Sequence, residues 1–149
     1  MIIVELSDPH QPQATALLQK SHALMQSLFP PEDNFFLSID DLCASNIRFF
    51  TARDGATVLG TGALAVKEDY GEIKSMFVAE TARGKGVADA LMRQIEDEAR
   101  ALNLPCLKLE TGNVLDAAHR LYERHGFTRC GPFGDYPEAA SSVFMEKPL

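Results

Sequence analysis

"VAETARGKGVADALMRQIEDEAR", residues Val78 to Arg100, sets a basic, glycine-rich turn between a strand-like run and an amphipathic helix. The run before it, "GEIKSMFV" (Gly71 to Val78), is rich in strand formers. After it, apolar residues recur at Val87, Leu91, Ile95, Ala99 and Leu102, the spacing of one helix face. The first turn of such a helix carries N–H groups without intrahelical partners, at the positive end of the helix dipole. Gly84 and Gly86 let a ligand approach the backbone, and Arg83 and Lys85 add formal charge. The junction therefore reads as a cradle for a pyrophosphate. It is not a Walker A loop, because Lys85 is followed by Gly86 rather than Ser or Thr. It is not a dinucleotide fingerprint either, because Asp89 stands at the third glycine position.

Outward from this turn the chain alternates strand and helix signals. "IIVEL" (Ile2 to Leu6) is a short strand ended by Ser7, Asp8 and Pro9. From about Gln11 to Leu28, apolar residues at Ala14, Leu17, Leu18, Leu24, Met25 and Leu28 form a helical stripe, broken by "FPPED" (Phe29 to Asp33). Ser38 with Asp41 three residues on suggests a capping box and a short second helix. Asp54-Gly55 marks a hairpin, followed by a strand from Val58 to Val66 and a third opened by Tyr70 or Gly71. "PCLKLE" (Pro105 to Glu110) is the next strand, and Leu115 to His125 a helix stopped by Gly126. "FTRCGPF" and "SSVFMEKPL" supply a final pair of strands. In "GEIKSMFV", period-2 alternation places Glu72, Lys74, Met76 and Val78 on one face, and Ile73, Ser75 and Phe77 on the other. The expected fold is a single α/β domain over residues 1–149, with a mixed, mostly antiparallel sheet of about six or seven strands and about four helices.

Bulk composition narrows the function classes. A chain of 149 residues can bury a core without disulfides or metals. The formal net charge of −7 argues against nucleic-acid binding, which needs a basic footprint. Cys43, Cys106 and Cys130 lack metal-ligand spacing and read as reduced thiols of a cytoplasmic protein; no metal site is expected. No signal peptide is evident, and no apolar run approaches the roughly 20 residues that cross a bilayer.

"RGKGVA" (Arg83 to Ala88) resembles the cofactor motif of the GNAT superfamily of N-acetyltransferases, Arg/Gln-x-x-Gly-x-Gly/Ala. "AAHRLYERHGF" (Ala117 to Phe127) resembles its Ala-x-x-x-Tyr-x-x-x-Gly-Phe segment, and the whole is similar to a group of small bacterial acetyltransferases. The resemblance implies that acetyl-CoA is the co-substrate. Its pyrophosphate would rest on Arg83, Gly84, Lys85, Gly86, Val87 and Ala88, and its pantetheine on the backbone of Met76, Phe77 and Val78. An N–H near Met76 would stabilise the thioester oxyanion. Tyr122 matches the family tyrosine that protonates the departing thiolate, and Glu72, four residues before Met76, resembles the family's glutamate base; Glu110 is a second candidate. Where many members carry Asn seven residues before the tyrosine, this chain has Leu115, with Asn113 nearby as the cofactor-binding candidate. His119 reads as a surface residue near Tyr122.

The acceptor site implied by the family lies in "LFPPEDNFFLS" (Leu28 to Ser38) and "PFGDYPEAASS" (Pro132 to Ser142). Lys74 or Arg48 would suit an acceptor with a carboxylate, whereas Glu32, Asp33, Asp40 and Asp41 would suit a cationic amine. The expected activity is acetyl transfer to the primary amine of a small molecule. The alternatives are a non-catalytic acyl-CoA sensor and a protein lysine or N-terminal acetyltransferase. A homodimer is expected by the same resemblance.

Overall fold

The computed structural model describes all residues from Met1 to Leu149. Seven strands and three α-helices follow one another as β1 (Ile2–Leu6), α1 (Pro12–Leu28), β2 (Ile47–Asp54), β3 (Thr57–Val66), β4 (Gly71–Val78), α2 (Val87–Ala101), β5 (Cys106–Gly112), α3 (Asp116–Arg124), β6 (Thr128–Cys130) and β7 (Ser142–Pro148). The sheet runs β1-β2-β3-β4-β5-β7-β6, with every pair antiparallel except β4 and β5. The mixed α/β sheet expected from the sequence is thus present.

Helix α1 starts where Gln11 caps it: the side chain accepts from the Ala14 N–H at 2.8 Å, with Pro12 at the first helical position. Ala14 and Leu18 pack against Phe49 and Ala63 on one sheet face. Helix α2 covers the opposite face with Val87, Leu91, Ile95 and Ala99, beside Phe50 and Leu64. The strand period thus sends Phe49 and Phe50 to separate cores. Leu91 and Ile95 are fully buried, each contributing about 1.5–3 kcal/mol.

Two expectations change. The second helix is only a 3-10 turn, Asp41–Cys43. Its capping box does form: Ser38 Oγ accepts from the Asp41 N–H at 3.0 Å, and Asp41 Oδ2 accepts from the Ser38 N–H at 3.2 Å. The chain then extends at Ala44 and enters β2 three residues later, so no room remains for a second turn.

The strict alternation in β4 also fails. Ala63 pairs with Lys74, while Thr61 pairs with Phe77, so Ser75 and Met76 together oppose Gly62. This bulge adds one residue, and Ser75 sits at φ 57, an uncommon value outside glycine. Glu72 and Lys74 therefore face the α1 side, whereas Met76 and Val78 join the α2 core with Ile73.

Candidate active site

Strands β4 and β5 pair only at their starts, Gly71 with Leu107 and Glu72 with Lys108. Beyond that point they part. The β4 edge from Ile73 to Val78 is left without a partner on its β5 side, and such an edge can take an extended ligand as an added strand. The bulge at Ser75–Met76 lies along this edge and re-aims the backbone there.

The edge leads from the split towards the start of α2. Gly86 occupies the N-cap position at φ 80 and Gly84 lies at φ 77. A Cβ at either would meet nothing within 4 Å, so the requirement for glycine comes from backbone conformation, not space. No side chain caps the helix, and the first-turn N–H groups stay open to a ligand. Buried Val87 anchors the turn, while Arg83 and Lys85 are exposed and form no ion pair.

Asp89 is an acid in the same first turn and would repel an anion. It is held by two residues of the α3 end, Arg124 at 2.9 Å and His125 at 2.7 Å. The His125 hydrogen bond, with Arg124 beside it, keeps the Asp89 carboxyl below the usual carboxylate range.

Within the split lies a cavity of about 140 Å³, lined by Met25 and Phe29 of α1 and its exit, Ser75 and Met76 of β4, Glu110 of β5 and Tyr122 of α3. Phe29 forms part of its wall: a Cβ on Gly112 would fall 2.2 Å from the Phe29 ring, so that ring rests on bare backbone. Tyr122 is buried; desolvation first, then the Glu110 charge, push its phenol well above the ordinary value and keep it protonated. Glu110 accepts from Ser142 Oγ at 2.8 Å, and burial raises its carboxyl above the usual range against that hydrogen bond. Tyr122 and Glu110, expected at this site, do line one cavity.

Glu72 is placed differently. Its buried carboxylate accepts a very short hydrogen bond from Tyr136 and lies 3.4 Å from Lys74 Nζ. It lines a neighbouring, more open cavity with Tyr70 and Asp135, not the one holding Tyr122. Burial and the Glu72 charge raise the Tyr136 phenol far above its ordinary value, so Tyr136 is the donor in that bond. Lys74 also donates to the Phe35 carbonyl at 3.0 Å and to Tyr136 Oη at 2.7 Å.

His119 corrects the expectation of a surface residue: it is buried, with Nε2 2.8 Å from the Gly112 carbonyl, and ties α3 to the end of β5. Asn113 receives its place from the loop before β7: its N–H donates to the Ser141 carbonyl at 2.8 Å and its Nδ2 to the Ala140 carbonyl at 3.3 Å.

Sequence reasoning missed Ser75 and Asn34. A bulge leaves no mark in "GEIKSMFV". Asn34 follows a Pro-Pro turn, which signals the turn but not the cavity beneath it.

The family model described as "Acetyltransferase (GNAT) family" matches residues 14–127. The chain is 41% identical to the IAA acetyltransferase of Azospirillum brasilense, over 99% of this chain and 98% of that protein. It is 36% identical to the N-acetyltransferase YsnE of Bacillus subtilis, whose own function is uncharacterized, over 98% of this chain and 99% of that one. Among solved structures, a Klebsiella pneumoniae chain titled as an acyl-CoA N-acyltransferase superposes with TM-score 0.84 at 28% identity, covering 100% of this chain and 98% of that chain. The PaiA N-acetyltransferase of Thermoplasma acidophilum, solved with coenzyme A, shares the fold with TM-score 0.75 at 14% identity, covering 100% of this chain and 99% of that chain.

Proposed function

The chain belongs to the GNAT family of acetyltransferases, and on that premise we propose that it moves the acetyl group of acetyl-CoA directly to the primary amine of a small molecule. One observation carries this reading: the free β4 edge links an uncapped, glycine-rich helix start to a cavity holding Glu110 and Tyr122. The pyrophosphate would rest on the backbone of Gly84 to Ala88, with Arg83 and Lys85 beside it. The pantetheine arm would pair with Met76 to Val78. Asn113 keeps its Oδ1 as an acceptor at the end of β5, open to the cofactor's amide.

Acetyl-CoA supplies an activated acyl carbon. The acceptor nitrogen forms a bond to that carbon as the carbon–sulfur bond breaks. Glu110 takes the proton the nitrogen loses, because it faces the cavity while Glu72 is engaged by Tyr136 and Lys74. Its raised carboxyl value is that of a better base than an ordinary carboxylate. Tyr122, held protonated, donates to the departing sulfur. Glu72 supports the site indirectly, by fixing Lys74 beneath the Phe35 carbonyl.

A cavity of about 140 Å³ favours a small molecule over a protein side chain. No helix is long and apolar enough to cross a membrane. Three free cysteines fit a reducing, cytoplasmic setting, and the β1 edge, with Ile3 and Leu6 exposed, offers a surface for a dimer. Thiol release from acetyl-CoA, followed against a panel of amines, tests the activity. Calorimetry with coenzyme A tests the cradle; no heat, together with no change on Arg83→Ala/Lys85→Ala, would remove the basis for the cofactor placement.

A further inference from the structure

The cradle and Tyr122 address opposite ends of one ligand. The diphosphate of coenzyme A lies at one end of the pantetheine arm and the sulfur at the other. Tyr122 can protonate that sulfur only if α3 is held in a fixed place relative to the start of α2. The ring is oriented by packing alone: it is buried against Phe127, with ring centroids 5.9 Å apart, and no hydrogen bond ties its hydroxyl. Its position therefore depends on what holds the helix.

Helix α3 is short, nine residues, and three side chains fasten it and its exit to the rest of the fold. His119 ties it to the end of β5 through the Gly112 carbonyl. The other two, Arg124 and His125, both reach Asp89 of α2. Arg124 Nη2 at 2.9 Å and His125 Nε2 at 2.7 Å converge on the same oxygen, Oδ1. The Arg124 side chain is exposed, and an exposed ion pair holds little. The His125 side chain is only 17% exposed, so its bond is the firmer limb of the clasp.

The clasp acts on Tyr122 through one peptide group. The Tyr122 carbonyl accepts from the His125 N–H at 3.1 Å and from the Phe127 N–H at 3.0 Å. A displaced His125 thus moves the last turn of α3, and the tyrosine with it. An acid that served only its own helix would hydrogen-bond the amides of the first turn. Both hydrogen bonds of Asp89 go to the α3 exit instead, and those amides stay open.

We propose that Asp89 is a positioning residue. It clasps the exit of α3 to the start of α2, and thereby sets Tyr122 at the sulfur of a cofactor whose diphosphate rests in the cradle. This rests on the acetyltransferase reading above and adds to it a residue that touches neither the acetyl group nor the acceptor.

The test uses the full chain labelled with fluorotyrosine and coenzyme A as the probe. Three tyrosines give three fluorine lines, and Tyr122→Phe assigns one of them. Coenzyme A should move the Tyr122 line of the parent, because its thiol docks beside that ring. In Asp89→Ala most of that shift should be lost, while calorimetric affinity for coenzyme A is unchanged or tighter, since a like charge has left the cradle. Asp89→Asn keeps an oxygen for both donors and should behave as the parent does. Arg124→Ala/His125→Ala cuts the clasp from the α3 side and should lose the same shift; it serves where Asp89→Ala melts early. With the panel amine that releases most thiol, Asp89→Ala should lower kcat about tenfold. Added to Tyr122→Phe, it should lower kcat no further. A full shift in a clasp-free variant overturns the proposal. So does an equal fall in kcat with and without the tyrosine hydroxyl. So does a Tyr122 line unmoved in a parent that binds coenzyme A. Absence of coenzyme A binding, by contrast, strikes the acetyltransferase reading itself.

Discussion

The two ends of the proposed site are built by opposite means. At the start of α2 the ligand-facing groups are backbone N–H, and two glycines at positive φ supply the geometry. In the cleft between β4 and β5 the cavity is lined by side chains from separate segments, among them Asp33 and Asn34, Ser75, Glu110 and Tyr122. The first end is exposed and needs few tertiary contacts; the second exists only when the sheet, α3 and the residue 29–36 turn have come together. A backbone site binds what all relatives bind, and a side-chain site carries what distinguishes one relative from another. Changes at the two ends should therefore separate cofactor affinity from chemistry.

The largest separation is expected at the carboxylates. Glu110→Gln should lower kcat by about 10²–10⁴-fold, the usual contribution of a positioned base, with calorimetric affinity for coenzyme A unchanged. Glu72→Gln should act on stability instead. It leaves Lys74, whose side chain is 12% exposed, without its counter-charge, a loss near the lower end of about 3–5 kcal/mol because glutamine still accepts from Tyr136. Thermal melting reads the second effect and steady-state kinetics the first. If Glu72→Gln abolished turnover while melting normally, the assignments of the two acids would be exchanged.

The pH profile sharpens the same point. Burial raises the Glu110 carboxyl in the folded chain. Turnover requires its ionised form, so the acid limb of kcat/KM should fall at a pH above the usual carboxylate range, and Glu110→Gln should erase that limb. The stability sign is opposite to that of an ion-paired acid. A raised folded-state value leaves no penalty below the unfolded value and a full penalty above the folded one. Glu110→Gln should therefore stabilise the protein at neutral pH, and the gain should vanish as pH falls to the unfolded range.

How legible each end was follows from its construction. The cradle is written in six consecutive residues, Arg83 to Ala88, and the strand and helix on either side follow from period alone. The strand order and the pairing of β4 with β5 join segments far apart in the chain and are not written in local spacing. The cleft was legible only in pieces. Tyr122 and Glu110 could be named, but Glu72 was given a ligand-facing role because nothing in the local sequence shows Tyr136, 64 residues away, reaching its carboxylate. The even face drawn for Glu72, Lys74, Met76 and Val78 broke at one inserted residue, since a single bulge reverses everything beyond it. His119 lay inside because its partner, the Gly112 carbonyl, is brought near by the turn into α3.

At the cradle a smaller effect is expected. Gly86→Val forces a β-branched residue to φ 80, which costs about 1–2 kcal/mol, or lets the loop relax out of its anion-facing shape. The expected outcome is coenzyme A binding weakened about tenfold, with kcat at saturating cofactor close to the parent's. A fall in kcat with no change in affinity would mean that the glycine serves the cleft and not the phosphate.

The smallest effect addresses where the cleft stores its cost. Ser75 combines two unfavourable features, a left-handed backbone and a buried hydroxyl without a partner. Its carbonyl is meanwhile committed, accepting from Thr61 Oγ1 at 2.8 Å, which fixes the bulge in place. Ser75→Gly removes both features, gaining roughly 1–2 kcal/mol from the backbone against about 0.5–1 kcal/mol lost to glycine's freedom in the unfolded chain. Ser75→Ala removes only the hydroxyl and keeps the strain. Urea unfolding should therefore rank glycine above alanine, by about 1 kcal/mol or less. If alanine equals glycine, the cost lies in the unmet hydroxyl, and the bulge is a relaxed piece of backbone. If glycine alone gains, the strain is held by the Thr61 contact, and Thr61→Val should flatten the difference between the two variants.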